Sequence, residues 1–316
     1  MVREGLLPLL VILGPTASGK SRLGLEVAEA IDGEIVSADA FAIYRGLDIG
    51  TDKPSPEDRR RVRHHLVDIA DPRQRFSAGA FTRAADAAIA EIRGRGRTPL
   101  VVGGTHFWIR ALLEGLFEAP PRNPELGARL AAEWRADPAA VFARLETVDP
   151  ETARRVGPGD RQRILRALEI HELTGVPLTD HWKRQQTRTL YDPLTVAPER
   201  SRSDLYARID ARVDRLFAAG LVEEVTGILA SGVPADAHAL KAIGYREVVS
   251  MLQGGCDLET VVEDTKKASR NFAKRQLTWL RGMQEDALHE VPPVEQGGAA
   301  AVVDLWKRHT KERQGP

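Results

Sequence analysis

The 316-residue sequence has one cysteine, few aromatic residues and no net charge. Cys256 alone can form neither an intramolecular disulfide nor a cysteine-rich metal site, which is typical of a protein from a reducing compartment. Aromatic residues make up 5% of the chain, and 45 Lys and Arg residues balance 45 Asp and Glu residues. This balance excludes a uniformly basic nucleic-acid-binding protein, although a local basic face can still bind a polyanion.

The sequence also lacks a hydrophobic run long enough to span a bilayer. The apolar stretch 6–13 falls well short of the roughly 20 residues that a transmembrane helix needs. Glu4 precedes it, and a glycine-rich motif rather than a cleavage site follows, so a signal peptide is not expected. We therefore predict a cytoplasmic protein, with enough apolar sequence to bury a core as a monomer.

Strand-like and helix-like patterns alternate over the first part of the chain. Residues 9–13 form a continuous apolar run, and shorter apolar runs occur at 34–38 and 100–102, with helical periodicity between them. This alternation predicts βαβ units and a parallel sheet. After about Gly115 the chain becomes helical and proline-rich, and the next convincing strand is 194–197.

The strongest motif is a G-x-x-x-x-G-K-S sequence that lies between a predicted strand and a predicted helix. In this context its amides, the helix N-terminus and its lysine can surround a phosphate group, and its serine can bind Mg²⁺. An ordinary glycine-rich turn is the alternative. The predicted phosphate-binding residues are Gly14, Pro15, Thr16, Ala17, Ser18, Gly19, Lys20 and Ser21, with Ser21 as the metal ligand.

A carboxylate that P-loop ATPases usually carry at the end of a second apolar strand is missing. The strand 100–102 is followed by Gly103, Gly104 and Thr105, whereas Asp39 follows the strand 34–38. Ends of parallel strands open onto one crevice, so Asp39 and Thr105 could both face the phosphates. A turn or helix-capping role is the alternative for Asp39.

Basic residues form three clusters on predicted helices. Each alone could be a solvated helix face, but three clusters on a neutral chain favour a polyanionic partner. Their members are Arg161, Arg163 and Arg166; Arg208, Arg212 and Arg215; and Lys267, Arg270, Lys274 and Arg281.

With these residues in view, the chain resembles the tRNA dimethylallyltransferases (tRNA isopentenyltransferases) from about Pro8 to about Met283. The phosphate loop alone is common to many families, but the ordered set of motifs is specific. The matching stretches are 14–21, 37–39, 44–51, 53–54, 64–68, 103–105, 115–116, 162–169, 243–245 and 273–279.

The resemblance implies an α/β fold, with a P-loop NTPase-like parallel sheet core and a helical insertion domain. The first part of the core would be 1–120, the tRNA-contacting insertion 121–192, and the second part of the core 193–291, with one strand followed by helices. Residues 292–316, which are Gly/Ala-rich and then charged, are expected from their composition to form a partly disordered tail.

The resemblance also implies transfer of a dimethylallyl group from its diphosphate to the exocyclic amine of the adenine just 3′ of a tRNA anticodon. Mg²⁺ would assist, and the leaving diphosphate explains why no ATPase carboxylate is needed. Lys20, Thr105 and Asp39 would be catalytic, with Asp39 as the general base, and Arg208 or Arg212 would complete the diphosphate clamp. The tRNA-binding residues would be Asp39, Ala40, Phe41, Ala42, Gln162, Arg163, Ile164, Leu165, Arg166, Lys241, Ala242, Ile243, Gly244, Tyr245, Arg246, Lys274, Arg275 and Arg281.

Two stretches depart from the family pattern. Family members often have Asp-Ser-x-Gln where this chain has Asp39-Ala40-Phe41-Ala42, and Gly-Leu-Tyr where it has His106-Phe107-Trp108. Two other functions remain open at this point. A P-loop small-molecule or nucleotide kinase would consume ATP without tRNA, and a non-catalytic RNA-binding protein would bind tRNA without forming product.

Overall fold

A computed structural model describes residues 5–117, 119–184, 188, 190–283 and 287–311. The chain forms two compact units, one made of Met1–Leu113 with Thr189–Pro316 and the other of Glu114–Arg188. The second unit overlaps the helical insertion predicted for 121–192.

Within the described residues, six strands form one sheet in which every neighbouring pair is parallel. The sheet order is β3-β2-β4-β1-β5-β6. This confirms the predicted α/β class with a P-loop NTPase-like parallel sheet. The strands are β1 (Leu7–Leu13), β2 (Gly33–Ala38), β3 (His64–His65), β4 (Thr98–Gly103), β5 (Tyr191–Pro198) and β6 (His289–Val291).

Helices connect the strands of the first unit and make up the second unit. They are α1 (Lys20–Ala30), α2 (Pro56–Arg61), α3 (Ala78–Gly94), α4 (His106–Glu114), α5 (Pro124–Ala136), α6 (Pro138–Val148), α7 (Pro150–Val156), α8 (Arg161–Thr174), α9 (Leu178–Arg184), α10 (Arg202–Ala218), α11 (Leu221–Ala230), α12 (Tyr245–Leu252), α13 (Leu258–Arg281) and α14 (Gly298–Lys311).

Both faces of the sheet are covered, which explains the unbroken apolar run of β1. Leu9 and Val11 belong to the core cluster on one face, whereas Leu10 and Ile12 belong to the cluster on the other face. Alternate side chains of a strand point to opposite faces, so a strand covered on both sides must be apolar throughout.

The second unit has a core of its own, built from helices α5 to α9. Its longest helix, α8, is capped at both ends. The Asp160 carboxylate accepts a hydrogen bond from the Arg163 amide at 3.1 Å, and Gly175 ends the helix in the left-handed region at φ 69°. A side-chain cap at one end and glycine at the other satisfy backbone groups that a helix leaves unpaired.

The tail 292–316, expected to be partly disordered, contains a helix that the sequence patterns did not predict. Residues Gly298–Lys311 form α14, and Val302 and Trp306 on this helix are buried in the core cluster beside β1 and β5. These two side chains share a helix face, but the Gly/Ala-rich and charged composition around them conceals the pattern. Residues 312–316 lie outside the described residues.

The region 193–291 also ends in a strand that was not predicted. β6 pairs with β5, with Val196 opposite His289 and Pro198 opposite Val291. Three residues are too few to show strand periodicity in the sequence. Among the described residues, no helix combines the length and the apolar character needed to cross a membrane.

Candidate phosphate-binding and catalytic site

The site is assembled at the carboxyl ends of three adjacent strands. β4 lies between β2 and β1, and its last residue, Gly103, is paired with Ala38 on one side and Leu13 on the other. A side chain at Gly103 would collide with the Ala38 carbonyl, so glycine permits this close approach. The segments that follow the three strands therefore begin side by side, as expected at the ligand crevice of a parallel sheet.

The loop 14–21, which is predicted to bind phosphate, contains two left-handed residues directly before α1. Ala17 and Gly19 both have positive φ angles, 63° and 91°, and α1 begins immediately afterwards at Lys20. Left-handed residues in such a turn direct successive amides towards one concave face, and the helix dipole adds to their positive field. The Ser18 hydroxyl is buried with no hydrogen-bond partner among the described residues, which makes it available to a ligand.

Lys20 is enclosed by the loop that precedes it. Its Nζ donates a hydrogen bond to the Pro15 carbonyl at 3.2 Å. Burial lowers the pKa of Lys20 to about 8, and the charge of Asp39 opposes this shift, while Arg212 adds to it. Asp39 and Arg212 therefore lie close enough to Lys20 for their charges to act on it. A bound phosphate would favour the charged form.

The two carboxylate oxygens of Asp39 differ in their hydrogen bonds to the described residues. Oδ1 accepts hydrogen bonds from the amides of Phe41 at 2.8 Å and Ala42 at 3.1 Å. The turn role considered for Asp39 is therefore present, and it fixes the carboxylate. Among the described residues Oδ2 has no hydrogen-bond partner, so the same side chain can still accept a proton.

Thr105 is held against the segment that contains Asp39. Its amide donates to the Ala38 carbonyl at 3.2 Å, and its Oγ1 accepts a hydrogen bond from the Ala40 amide at 3.0 Å. Because the hydroxyl oxygen accepts from Ala40, the hydroxyl hydrogen is free to donate to a ligand. The predicted group Lys20, Asp39 and Thr105 is thus brought together by the strand order.

The two arginines predicted to clamp a diphosphate both lie next to the loop. Arg208 Nε donates to the Ala17 carbonyl at 3.1 Å, and Arg212 Nε donates to Asp52 at 3.0 Å. Arg208 therefore uses one N–H to hold the loop, and its terminal amino groups make no hydrogen bond to the described residues. Arg212 is balanced by Asp52 while it acts on Lys20.

His106 fills a position where the family pattern often has glycine. Its ring stacks on Trp279 of α13, with centroids 4.3 Å apart and planes 9° from parallel. The side chain is buried, and its Nε2 has no hydrogen-bond partner among the described residues. Burial lowers the pKa of His106 to about 4, and the charge of Lys20 contributes, so the ring is neutral at pH 7.

Gln276 and Arg200, which were not among the predicted site residues, form hydrogen bonds with the loop. Gln276 of α13 accepts a hydrogen bond from the Thr16 amide at 2.9 Å and donates to the Gly104 carbonyl at 2.9 Å. Arg200 Nε donates to the Ser18 carbonyl at 2.7 Å. Gln276 lies inside the matched stretch 273–279 and could have been selected there, whereas nothing in the pattern around Arg200 points to it.

The predicted tRNA-binding residues of the first unit divide by exposure. Ala42, Ala242 and Tyr245 are buried, and the Tyr245 hydroxyl accepts a hydrogen bond from the Gly50 amide at 3.1 Å. Their side chains shape the fold and offer no surface to a macromolecule. Ala40, Phe41, Ile243 and Gly244 are buried or half-buried, and the exposed members are Lys241, Arg246, Lys274, Arg275 and Arg281.

The predicted tRNA-binding residues of the second unit all lie on α8. Gln162 and Arg163 are exposed, Leu165 is half-buried, and Ile164 is fully buried in the core of that unit. Arg166 pairs with Glu169 at 2.7 Å and donates to the Pro120 carbonyl at 2.8 Å. Arg166 therefore anchors the chain before α5, while Gln162 and Arg163 remain open to a partner.

Comparisons with known proteins agree with these features. The family model described as IPP transferase matches residues 42–283. The tRNA dimethylallyltransferase 1 of Trichlorobacter lovleyi is 49% identical over 275 residues, which cover 86% of this chain and 90% of the relative. The tRNA dimethylallyltransferase of Halorhodospira halophila is 48% identical over 282 residues, covering 88% of this chain and 91% of the relative.

Solved structures are similar over nearly the whole chain. The full-length tRNA isopentenylpyrophosphate transferase of Bacillus halodurans has a TM-score of 0.72 and 32% identity, covering 97% of this chain and 98% of that one. A eukaryotic dimethylallyltransferase, described as acting on tRNA, has a TM-score of 0.76 and 25% identity. The match covers 91% of this chain and 74% of that one. The family named in the sequence analysis is thereby confirmed.

Proposed function

This chain belongs to the IPP transferase family, and we propose that it transfers a dimethylallyl group from dimethylallyl diphosphate to the exocyclic amine of the adenine 3′ of a tRNA anticodon. The products are N6-isopentenyladenosine in the tRNA and inorganic diphosphate. The observation that carries the proposal is the convergence of the phosphate loop, Asp39 and Thr105 at the ends of β1, β2 and β4.

The loop side of the site suits a diphosphate leaving group. When the allylic C–O bond breaks, its electron pair goes to the diphosphate oxygen, and catalysis must stabilise that growing charge. Lys20, the loop amides and the terminal amino groups of Arg208 supply positive charge there. Arg212, whose charge acts on Lys20, adds to it. Thr105, whose hydroxyl hydrogen is free, would donate to the bridging oxygen.

The Asp39 side of the site suits the acceptor. As the adenine nitrogen bonds to the allylic carbon, it becomes positively charged and must lose a proton. Asp39 Oδ2 is open to receive it, while the bonds from Phe41 and Ala42 to Oδ1 keep the carboxylate oriented. The adenine must leave its stack to reach the site, which costs least in a single-stranded loop.

A divalent metal, which we propose is Mg²⁺, fits the loop through Ser21. The Ser21 side chain is exposed on the first turn of α1, and among the described residues no cluster of three or more His, Cys, Asp or Glu side chains offers another site. Mg²⁺ accepts a hydroxyl, substrate phosphate oxygens and waters as ligands. When bound, the ion would neutralise charge on the diphosphate.

The exposed basic residues of the predicted set would bind the tRNA backbone. In the first unit these are Lys241, Arg246, Lys274, Arg275 and Arg281, and in the second unit Arg163 beside Gln162. Phosphate contacts of this kind position an RNA without reading its sequence. We further propose that the enzyme acts as a cytoplasmic monomer, in keeping with its single cysteine and balanced charge.

The test is a transfer assay with defined substrates. Purified protein is incubated with Mg²⁺, dimethylallyl diphosphate and unmodified tRNA, and the digested RNA is examined by mass spectrometry for prenylated adenosine. A parallel tRNA with guanine in place of the adenine 3′ of the anticodon is the matched control. We expect product only with the adenine-bearing tRNA. ATP hydrolysis without RNA modification would support a kinase, and tRNA binding without product would support a non-catalytic RNA-binding protein.

A further inference from the structure

Arg200 is a buried cation with three different partners. Its side chain is 6% exposed; Nε donates to the Ser18 carbonyl at 2.7 Å, Nη1 pairs with Asp204 at 2.9 Å, and Nη2 pairs with Glu295 at 2.6 Å. Asp204 is a neighbour on α10, but Glu295 comes from the far C-terminal part of the chain. One guanidinium therefore joins the phosphate loop to that part.

The bond to Ser18 has a direct consequence for the anion site. In a trans peptide the C=O and the following N–H point in opposite directions. Arg200 draws the Ser18 carbonyl to its own side, so the Gly19 N–H of the same peptide must face the other way, into the loop. That N–H has no acceptor among the described residues. Arg200 thus sets the direction of an amide that a phosphate would use.

Glu295 lies between two elements that are packed on the sheet. It lies in the short 3-10 turn Val294–Gln296, which follows β6 and precedes α14. β6 is paired with β5, and the Glu199 amide, next to Arg200, donates to the Val291 carbonyl at 2.8 Å. α14 is fixed through the buried Val302 and Trp306. The segment from Val291 to α14 is therefore docked on both sides of Glu295.

We propose that Arg200 and Glu295 form a positioning pair through which the docked C-terminal segment 292–311 holds the phosphate loop in its diphosphate-binding conformation. The inference rests on the proposed function only in taking a diphosphate as the loop's ligand. It gives a binding role to a segment beyond residue 283, where the family match ends. Binding of diphosphate and docking of the segment are then coupled, and each strengthens the other.

The decisive variant is Glu295→Gln, because two explanations predict opposite results. If Glu295 were only a nearby negative charge, its removal would strengthen the binding of an anion. If Glu295 positions Arg200, its removal loosens the Ser18 carbonyl and weakens binding. We expect the Kd for inorganic diphosphate with Mg²⁺ to rise about tenfold. The KM for dimethylallyl diphosphate should rise in parallel, with kcat and the KM for tRNA unchanged.

Glu290→Gln is the matched control. Glu290 lies on β6 in the same segment, is exposed and has no ion-pair partner among the described residues. The same charge removal there should leave diphosphate binding unchanged. Equal Kd values for Glu295→Gln and Glu290→Gln would overturn the proposal.

A double-mutant cycle tests whether Arg200 and Glu295 affect diphosphate binding through one shared mechanism. Arg200→Lys, Glu295→Gln and the double variant are compared in diphosphate affinity, and we expect the double variant to bind no more weakly than Arg200→Lys alone. Additive losses would contradict a shared mechanism. In the wild-type protein, saturating diphosphate should also slow amide hydrogen exchange in α14, and an unchanged rate would contradict the coupling.

These measurements do not depend on RNA. A wild-type protein that binds diphosphate but forms no prenylated adenosine would refute the proposed function and leave this inference standing. A wild-type protein that binds diphosphate, with Glu295→Gln binding equally well, would refute this inference alone. Absence of diphosphate binding in the wild type would refute both.

Discussion

Gln276 Oε1 accepts a hydrogen bond from the Thr16 amide at 2.9 Å, although 260 positions separate the two residues in the chain. Through its Nε2 the same side chain reaches the Gly104 carbonyl, so one buried amide joins the phosphate loop to the segment after β4. Both ends of the amide are used, as satisfied buried polar groups require.

Gln276→Leu should weaken donor binding rather than chemistry. The substitution keeps the volume but leaves the Thr16 amide and the Gly104 carbonyl without their partner, so the two segments lose their fixed spacing. We expect the KM for dimethylallyl diphosphate to rise about tenfold, with kcat less affected. Steady-state kinetics would measure this. Gln253→Leu, at an exposed residue whose side chain makes no hydrogen bond in the described part of the chain, is the control.

Asp39→Asn should slow transfer strongly while leaving the fold and tRNA binding nearly intact. The amide oxygen of asparagine can still accept from Phe41 and Ala42, but the side chain cannot take a proton from the adenine amine. We expect a loss in kcat of about 10²- to 10⁴-fold. Asp39→Ala should also lose transfer and should in addition disturb the turn. A variant Asp39→Asn that turned over bound tRNA normally would rule out the role of general base.

Donor affinity should fall as the pH rises above about 8. Lys20 has a pKa lowered to about 8 by burial, so the free protein loses this positive charge well below the ordinary pKa of lysine. A diphosphate favours the charged form, and binding above pH 8 must therefore take up a proton. Measurements of the dimethylallyl diphosphate KM between pH 7 and 9.5 would reveal the rise. Lys20→Arg should show a KM independent of pH in that range, since arginine stays charged, and Lys20→Ala should lose diphosphate affinity at every pH.

His106 should make the folded state less stable as the pH falls from about 6.5 to about 4. Its folded pKa of about 4 lies below the unfolded value of 6.5, so in this window the unfolded chain binds a proton that the folded protein does not. Across this pH window, His106 lowers the free energy of unfolding by about 3 kcal/mol. His106→Phe keeps a ring against Trp279 but cannot titrate. Denaturant unfolding at pH 4.5 and 7 should show a smaller difference for this variant than for the wild type.

Trp306→Ala should destabilise the protein by about 3–5 kcal/mol, as loss of a large buried side chain does. Trp306 lies on α14 and is 8% exposed in the cluster that covers one face of the sheet. Lys307→Ala, at the exposed neighbouring position, should change the free energy of unfolding by less than about 0.5 kcal/mol. Equal stability of the two variants would mean that α14 does not contribute to the core.

Local patterns were enough to predict four strands of the sheet and the grouping of Asp39 and Thr105 with the loop 14–21. The apolar run of β1 and the loop motif after it each depend on neighbours in sequence, and each appears where it was expected. Strand ends in a parallel sheet meet at one edge whatever the intervening loops, and so the sequence alone places Asp39 and Thr105 together with the loop.

Contacts between distant segments could not be predicted in this way. Gln276, the Arg200–Glu295 pair and the His106–Trp279 stack bring together residues that local periodicity does not relate. The same is true of α14, whose few apolar residues gain stability only by packing on the sheet. The sequence determined which chemical groups lie at the crevice, because the loop 14–21, Asp39 and Thr105 each come directly after a strand of the parallel sheet. Tertiary packing alone decided which side chains hold these catalytic and binding groups in position. The hydrogen bonds and ring contacts involved depend on how helices from distant parts of the chain pack on the sheet.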